Sequence, residues 1–344
     1  KKHEGISWQD WPEDEKFGDP HDILNNLNEE DSKETYKLMR QQYAFDAQWR
    51  ELKEYANSKG VNIMGDLPMF MSAESSDVWA NKEVFKLDED GRQKVHAGAP
   101  PDAFTGDGQD WGNPLYDWDY LKDSDYDWWL RRIRQCAERY DILRIDHFRG
   151  LSEYYSIPEG ADVKDGEWQH GPGLSLFRAI YKMFEEEGLS MKLIAEDLGM
   201  LDNGVKNLIE LTGIPGINVW QFSAFEMLDM SKEEAEKRAF YTGTHDNDTL
   251  KGFVKSYLGE NISEQELVKE CIRIMREIYE SPALLAMVQI QDVFFMGSEA
   301  RMNVPGTPEG NWTWKLGEYD TSPLRKETHE IAEWFRDLAS ESGR

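Results

Sequence analysis

The stretch DYDWWLRRIRQCAERYDILRIDHFRG, residues 125–150, decides the fold of this chain. Its first part, residues 125–140, places apolar side chains about every 3.6 residues, which predicts an amphipathic helix. The second part, Ile142–Asp146, is an apolar run of the length of a buried strand, and it ends on a carboxylate. A helix that leads directly into a buried strand is the repeating unit of a parallel α/β sheet.

The same pattern of a helix followed by a strand recurs on both sides of this stretch. Upstream, a helix over residues 33–59 is predicted to end at Gly60, and Val61–Asp66 follows as a strand. Downstream, four more helix and strand pairs are predicted: 174–187 with 192–196, 203–211 with 217–221, 232–239 with 240–244, and 264–280 with 285–290. No glycine-rich phosphate turn follows any of these six strands, which favours an α/β fold of the (β/α)8 TIM-barrel type over an open doubly wound sheet.

A closed barrel of this type has eight strands, so two strands are missing from the prediction. Since the chain begins Lys-Lys-His-Glu without Met, we expect the missing pair to lie upstream, and 1–344 to form a single, N-terminally incomplete barrel catalytic domain. Two irregular stretches are too long for simple connections and are predicted to be insertions. The first, residues 70–120, is expected to be a loop subdomain over the active-site face, and the second spans residues 150–173.

Four of the predicted strands end on a carboxylate or run directly into one: Asp66, Asp146, Glu196 and Asp246. In a barrel, the carboxyl ends of the strands meet at one face, where barrel enzymes do their chemistry. Acids that converge repel one another, so one pKa rises while the others stay low. Glycoside cleavage needs this division, because one carboxyl must protonate the leaving oxygen while an ionised partner acts at the anomeric carbon. Arg144, two residues before Asp146 on the same side of the strand, would keep Asp146 ionised.

Each acid taken singly has an ordinary structural explanation, because 67 of the 344 residues are acidic. All four together, each after an apolar strand, favour a catalytic interpretation. A metal site is not predicted: Asp246-Asn247-Asp248 lacks the glycine and the downstream glutamate of a calcium loop, and the histidines lack zinc spacing. The sequence indicates no cofactor either, since it has no phosphate-binding loop.

Aromatic residues support a sugar ligand, because indole rings cover the apolar C–H faces of pyranose rings. Trp111 lies in a stretch rich in Gly and Pro with no helical or strand period to bury it. Gln109 and Asn113 beside it are candidates for binding hydroxyls. Trp312 and Trp314, in a late loop, are weaker candidates.

The charge balance excludes two other classes of function. With 39 Lys and Arg against 67 Asp and Glu, the formal charge is −28, whereas nucleic-acid binding and attachment to anionic membranes need a basic face. No apolar window is long enough to span a bilayer. Cys136 and Cys271 are isolated in the sequence, which suits a reducing compartment. We therefore expect a cytoplasmic location, with a plastid as the alternative.

Together these segments resemble the amylomaltases, or disproportionating enzymes, the 4-α-glucanotransferases of glycoside hydrolase family 77 in the α-amylase clan. The similar pieces run from residue 65 to residue 307: Gly65–Pro68, the loop from Ala99-Pro100-Pro101-Asp102-Ala103-Phe104 to Tyr116, Arg144–Gly150, Ala195–Gly199, Gly243–Thr249 and Ala300–Thr307. The strand-end segments are typical of the whole clan. The Pro-Pro-Asp loop with Gln109 and Trp111, and the Arg-Met-Asn-x-Pro-Gly-Thr segment, indicate this family.

The resemblance implies roles for ten residues. Asp146 would be the nucleophile, Glu196 the general acid/base, and Asp246 the acid that binds substrate hydroxyls and stabilises the transition state. The expected substrate-binding residues are Asp66, Arg144, His245, Gln109, Trp111, His147 and Asn303. A retaining reaction through a covalent intermediate would place the carboxyls of Asp146 and Glu196 about 5–5.5 Å apart.

The resemblance also implies the partners: α-1,4-glucans and maltooligosaccharides as substrates, glucose as an acceptor, and no nucleic acid or membrane. A further N-terminal segment of the same enzyme is a candidate partner, because the first two strands are expected upstream. Two alternatives remain open at this point, an α-glucan hydrolase of the same clan and an inactive glucan-binding fragment.

Overall fold

The computed structural model describes residues 3, 5–101, 106–199, 201–259, 261–307, 309–316 and 326–344. The chain divides into two compact units, Lys1–Ile214 and Pro215–Arg344, which are described separately below. Within the described ranges, no helix has both the length and the apolar character needed to cross a membrane.

The first unit contains eight α-helices and seven strands among its described residues, besides four short 3-10 helices. The helices are α1 Glu13–Lys16, α2 Pro20–Asn25, α3 Glu29–Ser58, α4 Ser76–Ala80, α5 Trp118–Asp123, α6 Asp127–Arg139, α7 Leu174–Glu187 and α8 Asn203–Thr212. The strands are β1 Met64–Leu67, β2 Val95–Ala99, β3 Gln109–Pro114, β4 Ile142–Ile145, β5 Glu153–Pro158, β6 Glu167–His170 and β7 Lys192–Ala195.

Strands β1, β4 and β7 pair in parallel and form the sheet that positions the acids of this unit. Most of their apolar residues are almost fully buried, including Leu143, Ile145 and Ala195, while Met64 and Ile142 at the start of β1 and β4 are partly exposed. Helices α6 and α7 cover the sheet with buried faces, to which Trp129 and Phe177 belong. The predicted helix-then-strand units are therefore confirmed for these three strands.

Helix α3 ends where the sequence predicts, but its apolar side chains are exposed. It begins at Glu29 because the Asn28 side chain accepts a hydrogen bond from the backbone N–H of Asp31, and the predicted Gly60 follows its end in a left-handed conformation with φ +76°. The apolar stripe that predicted this helix is exposed: Tyr43, for example, is 78% accessible. The periodicity thus identified a helix without identifying a buried face.

The two predicted insertions share one antiparallel sheet with the order β3-β2-β5-β6. The first insertion supplies β2 and β3, and the second supplies β5 and β6, with Val95 opposite Pro158 in the register. The expectation that Trp111 lies in a loop without strand structure is wrong, because Trp111 is in β3, where the backbone pairs with β2. Asp102, Ala103 and Phe104 of the predicted family motif lie outside the described residues.

The second unit has three parallel strands among its described residues. The strands are β8 Gly216–Val219, β9 Arg238–Tyr241 and β10 Leu285–Met287, and the helices are α9 Trp220–Asp229, α10 Lys232–Ala235, α11 Leu250–Leu258, α12 Glu264–Glu280, α13 Ile290–Val293 and α14 Lys326–Glu341. Strand β9 pairs in parallel with both β8 and β10.

Four predicted elements in this unit have shifted bounds. The strand predicted over 240–244 is β9, which runs from Arg238 to Tyr241 and so starts and ends earlier than predicted. The helix predicted over 232–239 stops at Ala235, because Arg238 pairs with β8 and its guanidinium Nε donates to Asn218 Oδ1 at 2.7 Å. The strand predicted to reach residue 221 ends at Val219, where α9 begins, and the strand predicted to reach residue 290 ends at Met287. In each case pairing with a neighbouring strand, rather than local periodicity, decides where the element ends.

Candidate active site

Three acids lie at the carboxyl edge of the β1-β4-β7 sheet. Asp66 is in β1, and the sheet hydrogen bonding continues past the ends of the neighbouring strands. The Asp146 N–H donates to Leu67 O at 3.0 Å, and the Glu196 N–H donates to Ile145 O at 3.0 Å. Parallel strands of equal length therefore place Asp66, Asp146 and Glu196 at the same edge, as the sequence predicts.

Arg144 connects two of these acids. Its Nη1 donates to the Asp66 carboxylate at 2.7 and 2.8 Å and lies 3.0 Å from Asp146 Oδ1. The guanidinium is buried, which opposes its charge, but the carboxylates of Asp66, Asp146 and Glu196 raise the pKa of Arg144 above its ordinary value. A permanent cation at 3.0 Å favours the ionised form of Asp146.

Glu196 has the opposite electrostatic character. Burial raises the pKa of the Glu196 carboxyl to about 7, and the Asp146 carboxylate adds to the increase. The charge of Arg144 and the backbone N–H groups of Leu198 and His147, which donate at 3.1 and 2.9 Å, limit that increase. A large fraction of Glu196 is therefore protonated near neutral pH, whereas the Asp146 carboxylate lies 3.0 Å from the Arg144 guanidinium.

Two aromatic side chains lie beside His147, the residue that follows the proposed nucleophile Asp146. The His147 ring lies 4.8 Å from the Trp111 ring, edge to face, and 6.1 Å from Phe70. Burial lowers the pKa of His147 to about 4, with a contribution from the nearby charge of Arg149, so the imidazole is neutral at pH 7. Trp111 donates its indole N–H to Gln109 Oε1 at 3.1 Å, which places both predicted binding residues beside His147.

In the second unit, Asp246 lies in the loop that joins β9 to α11. Its Oδ1 accepts a hydrogen bond from the Asn303 side-chain amide at 2.6 Å, and His245 Nε2 lies 3.3 Å from its Oδ2. The Arg301 guanidinium donates to the backbone oxygen of Asp246 at 2.6 Å and to that of Asn303 at 2.8 Å. Arg301 therefore fixes the Asp246 loop to the segment that carries Asn303.

The buried carboxyl of Asp292 also holds this loop in place. Asp292 is 1% exposed and accepts hydrogen bonds from Thr242 Oγ1 and from the Leu250 N–H, both at 2.6 Å. These two donors stand at the two ends of the loop. Within the loop, Asn247 Oδ1 accepts from both the N–H and the hydroxyl of Thr244, at 2.8 and 2.9 Å. The backbone around Asp246 is thus tied at both ends and in the middle.

Sequence reasoning missed three residues of these arrangements: Phe70, Arg301 and Asp292. Arg301 belongs to the family-like segment Ala300–Thr307, so its presence there was the available signal. Asp292 had a weaker signal, a single acid within the apolar run after β10. Asn113, a predicted candidate for hydroxyls, instead donates its amide to Met71 O at 2.8 Å. Among the residues that the structure describes, no three His, Cys, Asp or Glu side chains are grouped so as to hold a metal ion.

Comparison with known proteins identifies the family. A family model described as 4-alpha-glucanotransferase, glycoside hydrolase family 77, matches residues 1–320. The 4-alpha-glucanotransferase of Streptococcus pneumoniae is 36% identical over 337 residues, which cover 94% of this chain and 66% of that protein. The chloroplastic/amyloplastic 4-alpha-glucanotransferase of Solanum tuberosum is 38% identical over 334 residues, which cover 90% of this chain and 55% of that protein.

The fold of this chain is also similar to that of a solved structure. The amylomaltase from Streptococcus agalactiae, in complex with acarbose, superimposes with a TM-score of 0.78 at 34% sequence identity, over all of this chain and 70% of that one. The chain spans 66% and 55% of the lengths of the two curated relatives named above. From the family match and these relatives, the chain belongs to glycoside hydrolase family 77, the 4-alpha-glucanotransferase family.

Proposed function

We propose that this chain carries the catalytic carboxyls of a 4-α-glucanotransferase that acts on α-1,4-glucans. The observation that supports this most directly is the contrast between Glu196, whose pKa is raised to about 7, and Asp146, whose carboxylate lies 3.0 Å from the Arg144 guanidinium. A retaining glycosidic transfer needs one protonated and one ionised carboxyl. The family membership of the chain points to the same reaction.

In the first half-reaction, the Asp146 carboxylate attacks the anomeric carbon of the donor glucan. Glu196 gives its proton to the departing glycosidic oxygen, and the donor chain becomes covalently attached to Asp146. In the second half-reaction, the ionised Glu196 removes the proton from the 4-hydroxyl of an acceptor. That oxygen attacks the anomeric carbon and releases Asp146, so the configuration is retained.

The other predicted residues hold the sugars. Asp246 binds substrate hydroxyls and stabilises the transition state, while Asp66, Arg144 and His245 contact the donor sugar. His147 is neutral at pH 7, which suits a hydrogen-bonding partner better than a competing cation. Asn303, which donates to Asp246 Oδ1 at 2.6 Å, binds substrate and also orients that carboxylate. Gln109 and Trp111 complete the set as substrate contacts.

Trp111 is the candidate for favouring transfer over hydrolysis. Its ring is half-buried against His147, next to the proposed nucleophile, where an indole excludes water and offers a face to the acceptor sugar. Replacing it with alanine, Trp111→Ala, is expected to increase the share of glucose and hydrolysed product at the expense of longer chains. Chromatography of the products from maltotriose measures that ratio, and an unchanged ratio contradicts the assignment.

The proposed fold, substrates and compartment are those that the resemblance to this family implies. The proposed fold is a (β/α)8 barrel, to which the parallel strands of this chain contribute. Substrates are maltooligosaccharides and longer α-1,4-glucans, with glucose as an acceptor, and the acarbose bound by the Streptococcus agalactiae amylomaltase supports an α-glucan ligand. The proposed compartment is the cytoplasm, and the alternative is a plastid, as in the name of the potato relative.

The deciding experiment incubates the purified full-length protein with maltotriose alone and separates the products by chromatography. Glucose together with maltopentaose and longer chains is the expected result. Glucose and maltose without longer products would replace the proposal with a hydrolase of the same clan. Glu196→Gln and Asp146→Asn are the matched controls, because each keeps the size of the side chain and removes its chemistry, and both are expected to lose about a hundredfold or more of the rate.

A further inference from the structure

Trp312 is unusual among the 13 tryptophans of the chain, all of which lie in the described ranges. Two of them are exposed, Trp168 at 41% and Trp312 at 61%. The ring of Trp168 is partly covered, because the Arg149 guanidinium lies 4.0 Å from its centroid. Trp312 therefore presents the largest open indole surface of these residues, and an indole is among the most apolar groups to leave in water.

The exposed ring is close to the carboxylate that is proposed to bind sugar hydroxyls. The Trp312 and His245 rings are 5.0 Å apart at an angle of 46°. His245 Nε2 in turn lies 3.3 Å from Asp246 Oδ2. Only one side chain separates the indole from the carboxylate, so a glucan that contacts Asp246 passes beside the ring of Trp312.

The loop that carries Trp312 is internally bonded. Asn311 Oδ1 accepts from the Val304 N–H at 2.9 Å, and the Asn311 amide donates to Thr307 O at 2.8 Å. The Trp312 N–H donates to Met302 O at 2.8 Å, and Trp312 has a left-handed backbone with φ +58°, which is uncommon for a residue of this size. The hydrogen bonds thus hold the backbone in a conformation that costs free energy, and they keep the ring exposed to solvent. A strained residue with a pre-positioned side chain is typical of a ligand contact.

We infer that Trp312 is a stacking platform for one glucose ring of an α-glucan, adjacent to the ring that Asp246 contacts. The C–H face of a pyranose covers the open indole face and removes both apolar surfaces from water. Trp314, the other tryptophan of this segment, is half-buried and does not present such a face. This inference rests on the proposed function in two respects: it takes an α-glucan as the ligand and Asp246 as a residue that contacts it.

The test measures the affinity of the full-length protein for maltose through maltoheptaose by calorimetry. The Glu196→Gln background is expected to slow turnover by about a hundredfold or more, so that the ligand stays largely intact during the titration. Affinity is expected to rise in steps as the ligand occupies further sugar sites. Trp312→Ala is expected to remove one of these steps and to weaken binding of the longer ligands about tenfold, while binding of ligands too short to reach the ring is unchanged. Trp312→Phe, which keeps an aromatic face, restores part of the step.

The matched control is Tyr257→Ala, which removes a 75% exposed aromatic ring at the end of α11 in the same unit. It is expected to leave every affinity unchanged. If Trp312→Ala leaves all affinities unchanged but lowers the melting temperature, the ring is covered by protein and the inference is overturned.

A separate assay of wild-type turnover on maltotriose keeps the two proposals apart. Loss of the affinity step in a protein without transferase activity would uphold Trp312 and reject the proposed function. If the wild-type enzyme is active and Trp312→Ala still shows every affinity step, the proposed function is upheld and the inference about Trp312 is rejected. If the Glu196→Gln background binds none of these ligands, the inference is overturned as well.

Discussion

Glu196 illustrates how burial and charge act together on one residue, here the carboxyl that is proposed to be the catalytic acid. The same carboxyl accepts two backbone N–H bonds and lies near Arg144, and both features favour its charged form. Burial and the neighbouring Asp146 outweigh them, so the pKa rises to about 7. The proposed acid is therefore still partly protonated near neutral pH, and we expect the raised pKa to cost stability.

This cost is measurable as the difference in the free energy of unfolding between wild type and Glu196→Gln. In the unfolded chain Glu196 titrates near 4.5, and in the folded protein near 7. Below the lower pKa both states are protonated and no stability is lost. As the pH rises from 4.5 to 7, the unfolded state releases its proton first, so the folded wild type loses stability relative to Glu196→Gln. The difference levels off above pH 7 at no more than about 3 kcal/mol, since Glu196 is partly accessible to water.

Urea unfolding of both proteins at several pH values between 4 and 8 tests this expectation. Glu210→Gln, a change of an exposed carboxyl on α8, is the matched control. A difference between wild type and Glu196→Gln that stays constant over this range would contradict a raised pKa.

At the scale of single elements, some boundaries follow from the sequence and others do not. Helices α7 and α12 have the predicted limits, because their signals are local: Gly188 with φ +66° ends α7, and a capping box between Ser263 and Glu266 begins α12. Helix α10 is shorter than predicted, since Arg238 belongs to a strand that only a neighbouring strand can define.

The loop between β9 and α11 depends on Asp292. Asp292→Ala leaves the Thr242 hydroxyl and the Leu250 N–H buried without their acceptor, and we expect a loss of about 2–5 kcal/mol in the free energy of unfolding. Because this loop carries Asp246, the turnover of maltotriose is expected to fall at temperatures where the variant is still folded. Asp292→Asn, which keeps one acceptor oxygen, is expected to lose about 1 kcal/mol.

Urea unfolding and initial rates measure these two effects. Thr242→Val is the matched control, because it removes one donor and leaves Asp292 with the Leu250 N–H. Its cost should be smaller than that of Asp292→Ala. Full activity and wild-type stability in Asp292→Ala would show that the loop does not depend on this carboxyl.

Strand β1 depends on the absence of a side chain at Gly65. A Cβ atom at this position would lie 2.3 Å from the Tyr140 ring, so Gly65→Ala forces the strand and the ring apart. We expect a loss of about 1–3 kcal/mol in the free energy of unfolding, and a lower kcat/KM because the next residue is Asp66.

Gly60→Ala is the matched control for this substitution. No atom lies within 4 Å of a Cβ at Gly60, so its cost is only the strain of φ +76°, about 1 kcal/mol, and kcat/KM should stay at the wild-type value. Equal kcat/KM values for the two variants would contradict the role of Gly65 in positioning Asp66.

At the scale of the whole chain, the dominant feature is the formal charge of −28. Like charges repel in the compact state, and added salt screens that repulsion. The surface ion pairs that salt weakens are each worth about 0–1 kcal/mol at most, so the net effect should be stabilising. Raising NaCl from about 0.02 to about 0.5 M is expected to increase the melting temperature by about 2–5 °C.

Differential scanning fluorimetry measures this shift. KCl should act like NaCl, because screening depends on ionic strength, and an equal osmolality of a neutral polyol is the control. A melting temperature that falls with either salt would mean that specific ion pairs, rather than net repulsion, dominate the stability of the folded chain.

The sequence by itself determined the alternation of helices and strands and the acids that follow the strands, because periodicity, caps and strand-ending carboxylates are local signals. It also determined the family-like segments that contain Asp146 and Glu196. Only the tertiary structure decided that Trp111 lies in a strand against His147, that Arg301 and Asp292 hold the Asp246 loop, and that the pKa of Glu196 rises to about 7. These properties arise from burial and from partners distant in the sequence, and no local pattern encodes the dielectric environment or the neighbours that folding provides.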